Sequence, residues 1–258
     1  MKIDNSYIKR FVKVTQMGAY GAYLFKGKDD KIAADKAAVD RMRAELNKIE
    51  MTAKIVIGEG ELDEAPMLYI GEKVGNSNGE SFDIAVDPLE GTNFIAKNLP
   101  NALSVMAVAR KGEIFEAPET YMEKIAIGPN LPKNLLDLDN SVEKNIKLLA
   151  DAKNVSINKI TACLLERSRH NKIINSLKKL SVNIKFISDG DVAGVLSVAN
   201  TKNNVDIFLG IGGGPEGVLS AAALSCMNCQ MQTRLVIQNE NEKIRCKKMG
   251  IINLDKKY

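Results

Sequence analysis

One pattern returns along this chain and narrows its fold more than any other. A short apolar run stops at acids, bases or glycines, and a helical pattern follows. Ile55-Val56-Ile57 runs into Gly58-Glu59-Gly60-Glu61-Leu62-Asp63-Glu64, and Ile84-Ala85-Val86 into Asp87-Pro88-Leu89-Glu90-Gly91-Thr92. Ile160 to Leu165 ends in Glu166-Arg167-Ser168-Arg169-His170, and Ile184 to Ile187 in Ser188-Asp189-Gly190-Asp191. Val205 to Leu209 feeds Gly210-Ile211-Gly212-Gly213-Gly214-Pro215-Glu216-Gly217. Strands alternating with helices build layered α/β folds, and these bind ligands at the carboxyl ends of their strands. The polar residues therefore stand where such a fold keeps its chemistry.

Apolar spacing near 3.6 predicts helices over residues 6–24 and 32–49, and further helices over about 141–151, 172–180 and 218–226. Residues 102–109 and 121–127 read as strands. Pro88 should end the strand before it, since proline has no N–H for the ladder. Ala65-Pro66 should open a helix over 67–74. The stretch 128–140 holds two prolines and a polar cluster, which suggests a boundary. It separates an N-terminal metal-binding α/β subdomain, 1–128, from a C-terminal substrate-binding α/β subdomain, 129–258, sharing one composite site.

A net charge of +4 suits anionic substrates and is far from a nucleic-acid-binding balance. No apolar run approaches the about 20 residues that span a bilayer. Residues 1–5 lack the apolar core of a signal peptide, so the expected compartment is the cytoplasm. Cys226 and Cys229 form a C-x-x-C without nearby partners for a zinc site, which favours buried thiols on a helix face.

The acids carry the chemistry. Four carboxylates within Glu59 to Glu64 repel one another unless cations or bases offset them. An exposed acidic loop would explain them too, but glycines there point to close backbone approach. Asp35 falls in the first turn of the helix expected over 32–49, where the dipole alone would favour it. An acidic turn that caps a helix would likewise explain Asp87 and Glu90. Taken together, Asp35, Glu59, Asp87, Glu90 and Glu216 offer oxygen only, a donor set for Mg²⁺ or Mn²⁺. Two such ions can clamp an in-line phosphoryl displacement. Arg167, Arg169 and the glycine-rich helix start can hold phosphate. Thr92 can orient a water, and Asp63 is a candidate general base. His170, the sole histidine, reads as a packing or hydrogen-bonding residue.

The segments Ile57 to Met67, Asp87 to Thr92, Tyr121-Met122-Glu123-Lys124, Asp189-Gly190-Asp191 and Gly210 to Gly217 resemble the class II fructose-1,6-bisphosphatases of the GlpX type. These are lithium-sensitive, metal-dependent sugar phosphatases with a layered α/β/α/β/α fold. Asp-Pro-Leu-Glu-Gly-Thr is shared with the wider group, inositol monophosphatases included; the other segments are more specific. The resemblance implies removal of the 1-phosphate of fructose 1,6-bisphosphate, a gluconeogenic step, with Mn²⁺ or Mg²⁺ in a two-metal site. It assigns Asp35 and Glu59 to one ion, Asp87, Glu90 and Glu216 to the other, and water activation to Thr92. It places Glu90, Gly91, Thr92, Tyr121, Arg167, Ser168, Arg169, Asp189, Gly190, Asp191 and Gly213 against the substrate, and implies a homo-oligomer, dimer or tetramer. Ser168 stands where the family usually has proline, and the chain is shorter than the family at its C-terminal side. The rival readings are another sugar or inositol phosphatase, sedoheptulose 1,7-bisphosphate included, or a catalytically silent sugar-phosphate binder.

Overall fold

Asp4 opens the first helix, α1 (Asn5–Tyr23), by accepting a hydrogen bond from the Ser6 amide at 2.7 Å. Asp30 caps α2 (Lys31–Leu46) in the same way, through the Ala33 amide at 2.9 Å. Both helices pack on one face of a four-stranded mixed sheet, as Val14, Met42 and Leu46 meet Ile55, Phe82 and Ile84. Its strands are β1 (Met51–Ile57), β2 (Lys73–Val74), β3 (Glu80–Glu90) and β4 (Leu103–Arg110), in the order β2-β1-β3-β4. β1 and β3 run parallel, and β2 and β4 are antiparallel to their neighbours. A short helix, α3 (Thr92–Ala96), follows β3. The computed structural model describes residues 3–59, 68–200, 202 and 204–258.

These elements form one unit, Met1–Ala117; the second is Pro118–Tyr258. The division precedes the proline-rich 128–140 stretch where the sequence suggested it. β5 (Tyr121–Ile127) belongs with the second unit because it pairs along its length with β8 (Ile207–Gly213) and β9 (Gln230–Val236). With β6 (Thr161–Leu165) and β7 (Asn183–Ile187) the order is β7-β6-β8-β5-β9.

Alternation along these strands gives the sheet two apolar faces. Ile125, Leu164 and Leu209 pack with Ile146, Leu149 and Leu177 of α4 (Val142–Lys153) and α5 (Asn171–Lys179). Ala126, Cys163 and Phe208 pack with Val195 of α6 (Asp191–Leu196) and Leu224 of α7 (Gly214–Cys226). The second unit is thus helix, sheet, helix, and the layered α/β class matches the sequence reading. A further helix, α8 (Glu240–Lys248), follows β9. Leu149 has no exposed surface, so Leu149→Ala should cost about 2–5 kcal/mol. Urea unfolding checks this through a lower midpoint at unchanged slope.

Several local expectations need correction. β3 does not stop at Val86; it continues through Pro88 because the ladder shifts register between Asp87 and Glu90. Such a bulge is one of the few places a sheet accepts proline. Leu68 to Glu72 is turn and irregular chain rather than helix, and Lys73–Val74 pairs with β1. Cys226 is exposed and Cys229 half-buried, so the C-x-x-C is not a pair of core thiols; Cys163 and Cys246 are buried. Among the described residues, no helix is long and apolar enough to cross a membrane.

Candidate active site

In the first unit the polar residues gather at the ends of β1 and β3. Asp35 lies in the second turn of α2, because Asp30 takes the cap position. The helix dipole, which fades beyond the first turn, therefore does not account for it. Its carboxyl meets that of Glu59, just past β1, and burial pushes the Asp35 carboxyl above the usual carboxylate range while the contact with Glu59 opposes this. Asp35 Oδ1 is shielded from solvent and has no hydrogen-bond partner among the described residues. Two carboxyls in contact need a shared proton or a cation between them.

Asp87 and Glu90 flank the β3 bulge. Asp87 Oδ1 accepts the Leu89 amide at 3.1 Å, and Glu90 is 7% exposed. Gly91 turns the chain with φ 77°, ψ 50° and leads into α3, whose first residue is the half-buried Thr92. A side chain at Gly91 would be strained by this φ and would press on the Phe94 ring, 2.8 Å from an ideal Cβ. Asp63 and the rest of residues 60–67 lie outside the described residues. Among the described residues, no three His, Cys, Asp or Glu side chains form a ready metal cage.

In the second unit the residues collect at one edge of the sheet. The parallel strands β6, β7 and β8 end there, and the antiparallel β5 begins there, with Tyr121 paired to Gly213. Arg167 donates to the carbonyls of Glu166, at 2.9 Å, and Ser188, at 2.7 Å. Arg169 donates from Nε to the Ile211 carbonyl at 2.9 Å and lays its guanidinium over the Tyr121 ring, 4.9 Å from the centroid. Carbonyl acceptors and an aromatic face carry no net charge, so neither guanidinium is neutralised by these contacts. Ser168 begins a short 3-10 turn, Ser168–His170. Gly190 adopts φ 78°, ψ 62°, its amide bonds Asp189 Oδ1 at 3.0 Å, and Asp191 starts α6.

His170 is fully buried between β6 and β8. Its Nδ1 lies 2.7 Å from the Leu165 carbonyl, which cannot donate, so Nδ1 carries the proton. Nε2 then accepts the Ile211 amide at 2.8 Å. The ring is a neutral brace rather than a catalytic base, as the sequence reading expected. Burial is the main reason its pKa falls below 6.5; the Arg169 charge lowers it further, while the Leu165 and Ile211 bonds and Asp191 oppose the fall. The unfolded chain therefore binds more protons below about pH 6.5, and stability should decline as pH drops through that window. In His170→Gln, melts between pH 5 and 7.5 should lose part of this slope; an unchanged slope removes His170 as its source.

The glycine-rich segment also needs correction. Gly210 to Gly213 belong to β8 itself and Gly214 begins α7, so no glycine turn separates strand from helix. The missing side chains make room for polar groups. An ideal Cβ on Gly212 would lie 2.2 Å from Asp191 Oδ2, and one on Gly213 would lie 1.9 Å from Glu216 Oε2. A Cβ on Gly210 would approach the His170 ring to 3.1 Å. Glu216 follows Pro215 in the first turn of α7, with Oε2 shielded and without a hydrogen-bond partner among the described residues. Burial pushes its carboxyl above the usual range, and the nearby Lys124 charge opposes this.

Lys124 carried no role in the sequence reading beyond its place in a motif. It is wholly buried on β5 and ion-paired with Asp191. Only its position opposite Gly210 in the β5–β8 ladder, which a sequence does not display, could have pointed to it.

Residues 5–258 match the family described as bacterial fructose-1,6-bisphosphatase, glpX-encoded. The chain belongs to this family. A relative from Haemophilus influenzae, fructose-1,6-bisphosphatase class 2, is 43% identical over 254 residues, covering 93% of this chain and 76% of that one. Fructose-1,6-bisphosphatase 1 class 2 of Escherichia coli K12 is 42% identical over 254 residues, covering 93% and 75%. The family match includes every strand end described above.

Proposed function

We propose that this chain is a phosphoric monoester hydrolase that removes the 1-phosphate of fructose 1,6-bisphosphate, giving fructose 6-phosphate and phosphate. The observation that carries the reading is the near full-length match to the family, supported by 42–43% identity to relatives of that name.

A divalent cation suits the residues present. Asp35 Oδ1 and Glu216 Oε2 are shielded oxygens without hydrogen-bond partners among the described residues, and such oxygens are costly unless something positive or donating meets them. The donor set is all oxygen, which favours Mn²⁺ or Mg²⁺. In this reading Asp35 and Glu59 serve one ion, and Asp87, Glu90 and Glu216 the other. When bound, such ions polarise phosphoryl oxygens and make water a stronger nucleophile.

The chain's own groups do the rest. Arg167 and Arg169 bind phosphate oxygens, and Tyr121 holds the Arg169 guanidinium flat. Asp189, Gly190, Asp191 and Gly213 line the sugar, with Ser168 between the arginines. Gly91 lets the backbone approach, and the Thr92 hydroxyl orients the attacking water. Asp63 remains the candidate proton acceptor. A cytoplasmic homo-oligomer belongs to the same proposal.

Phosphate release from fructose 1,6-bisphosphate with added Mn²⁺ is the direct test. Turnover that a chelator abolishes is expected; release from inositol 1-phosphate alone would replace this reading with its nearest rival.

A further inference from the structure

We propose that Lys124 is a positioning residue for sugar recognition, anchoring Asp191 through Oδ2 so that Oδ1 is presented to a sugar hydroxyl. This rests on the sugar-phosphatase reading above and names a group that acts behind the substrate contacts.

The Lys124 side chain has no exposed surface, and Asp191 is 7% exposed. Burying an ammonium is expensive, and an apolar side chain of similar volume often serves a core equally well or better. Stability alone therefore does not explain a charge here. The surroundings are shaped around the pair: Gly212 leaves space for Asp191 Oδ2, and an ideal Cβ on Gly217 would lie 3.1 Å from Lys124 Cε and 2.4 Å from Met122 Sδ. Side chains are thus absent from both β8 and α7 where lysine and aspartate meet.

The two oxygens of Asp191 differ. Oδ2 is taken by Lys124, whereas Oδ1 is buried and has no hydrogen-bond partner among the described residues. An ionised carboxylate only accepts hydrogen bonds, so the group missing from Oδ1 is a donor. Asp191 follows the Gly190 turn at the sheet edge that also carries Arg169 and Tyr121, which fits a hydroxyl of a phosphorylated sugar. Without the ammonium, a buried carboxylate has no reason to keep this orientation.

A double-mutant cycle tests the inference, using calorimetric binding of fructose 6-phosphate at saturating Mn²⁺, with Mn²⁺ binding measured separately. Asp191→Asn should weaken sugar-phosphate binding by ~10- to 100-fold, the scale of a lost charge-assisted hydrogen bond. Lys124→Met should do the same in the wild-type background and add less than about threefold once Asp191 is Asn. Because the charges of Lys124 and Asp191 both act on Glu216, each titration is run at the Mn²⁺ concentration that saturates that variant, and circular dichroism of each variant shows whether the unit is folded. If Lys124→Met alone does not fold, the double variant, which buries no unpaired carboxylate, is compared with Asp191→Asn. A further tenfold loss in that comparison, no loss in Asp191→Asn, or no binding by the wild type overturns the inference. Wild-type binding without phosphate release from fructose 1,6-bisphosphate would instead sink the hydrolase reading and leave the pairing standing.

Discussion

Glu59→Gln should abolish phosphate release from fructose 1,6-bisphosphate while the protein stays folded. The glutamine keeps the shape and the backbone bond from the Glu59 amide to the Leu68 carbonyl, 3.0 Å. It loses the charge that faces Asp35. Removing one group that stabilises developing charge commonly costs ~10²–10³ in kcat, and a lost cation ligand should cost at least that. Without added cation the melting temperature should not fall, because neutralising one of two facing carboxyls relieves repulsion. Asp87→Asn is expected to behave alike, since its remaining carbonyl oxygen can still accept the Leu89 amide. Phosphate release and a thermal melt on the same preparation decide the matter. Rates near wild type would strike that residue from the ligand set.

Gly213→Ala should be comparably damaging to turnover and nearly silent in stability. The glycine has φ −63°, so alanine fits the backbone. The new Cβ would lie 1.9 Å from Glu216 Oε2 and 2.7 Å from Cδ, so the carboxylate has to move. A flexible side-chain end moves cheaply, and unfolding free energy should change by less than about 1 kcal/mol, within the ordinary range for a single substitution. A displacement near 1 Å at a reacting centre can cost about 10²-fold. Retained activity in a stable Gly213→Ala protein would show that Glu216 need not occupy its observed position.

Much of this could be read before any coordinates. β5 spans the residues expected of it, and α1, α2, β4 and β6 lie within a few residues of their expected ends, because short apolar runs and 3.6-residue spacing are local signals. β9 was missed because Gln230, Gln232, Thr233 and Arg234 dilute its apolar alternation. The extent of β8 was missed because glycines read as turn residues, when here they clear space for acids arriving from α6 and α7. Asp35 was found, but its meeting with Glu59 is a tertiary event that no spacing encodes. Lys124 marks the sharpest limit: a lysine in a strand reads as surface, and its burial depends on an aspartate 67 residues away.

The irregularity in β3 has a consequence of parity. Residues three apart on a regular strand point to opposite sides of the sheet, so Asp87 and Glu90 would face away from each other. Here Asp87 stands opposite Val105 and Glu90 opposite Leu103, an odd step on one strand matched to an even step on its neighbour. The surplus residue brings both carboxylates onto a common side. Adding one residue to β4 between Leu103 and Val105 would match the surplus, restore a regular ladder and turn one of this pair through the sheet with every acid still present, so the mismatch between the two strands sets a direction as well as a spacing.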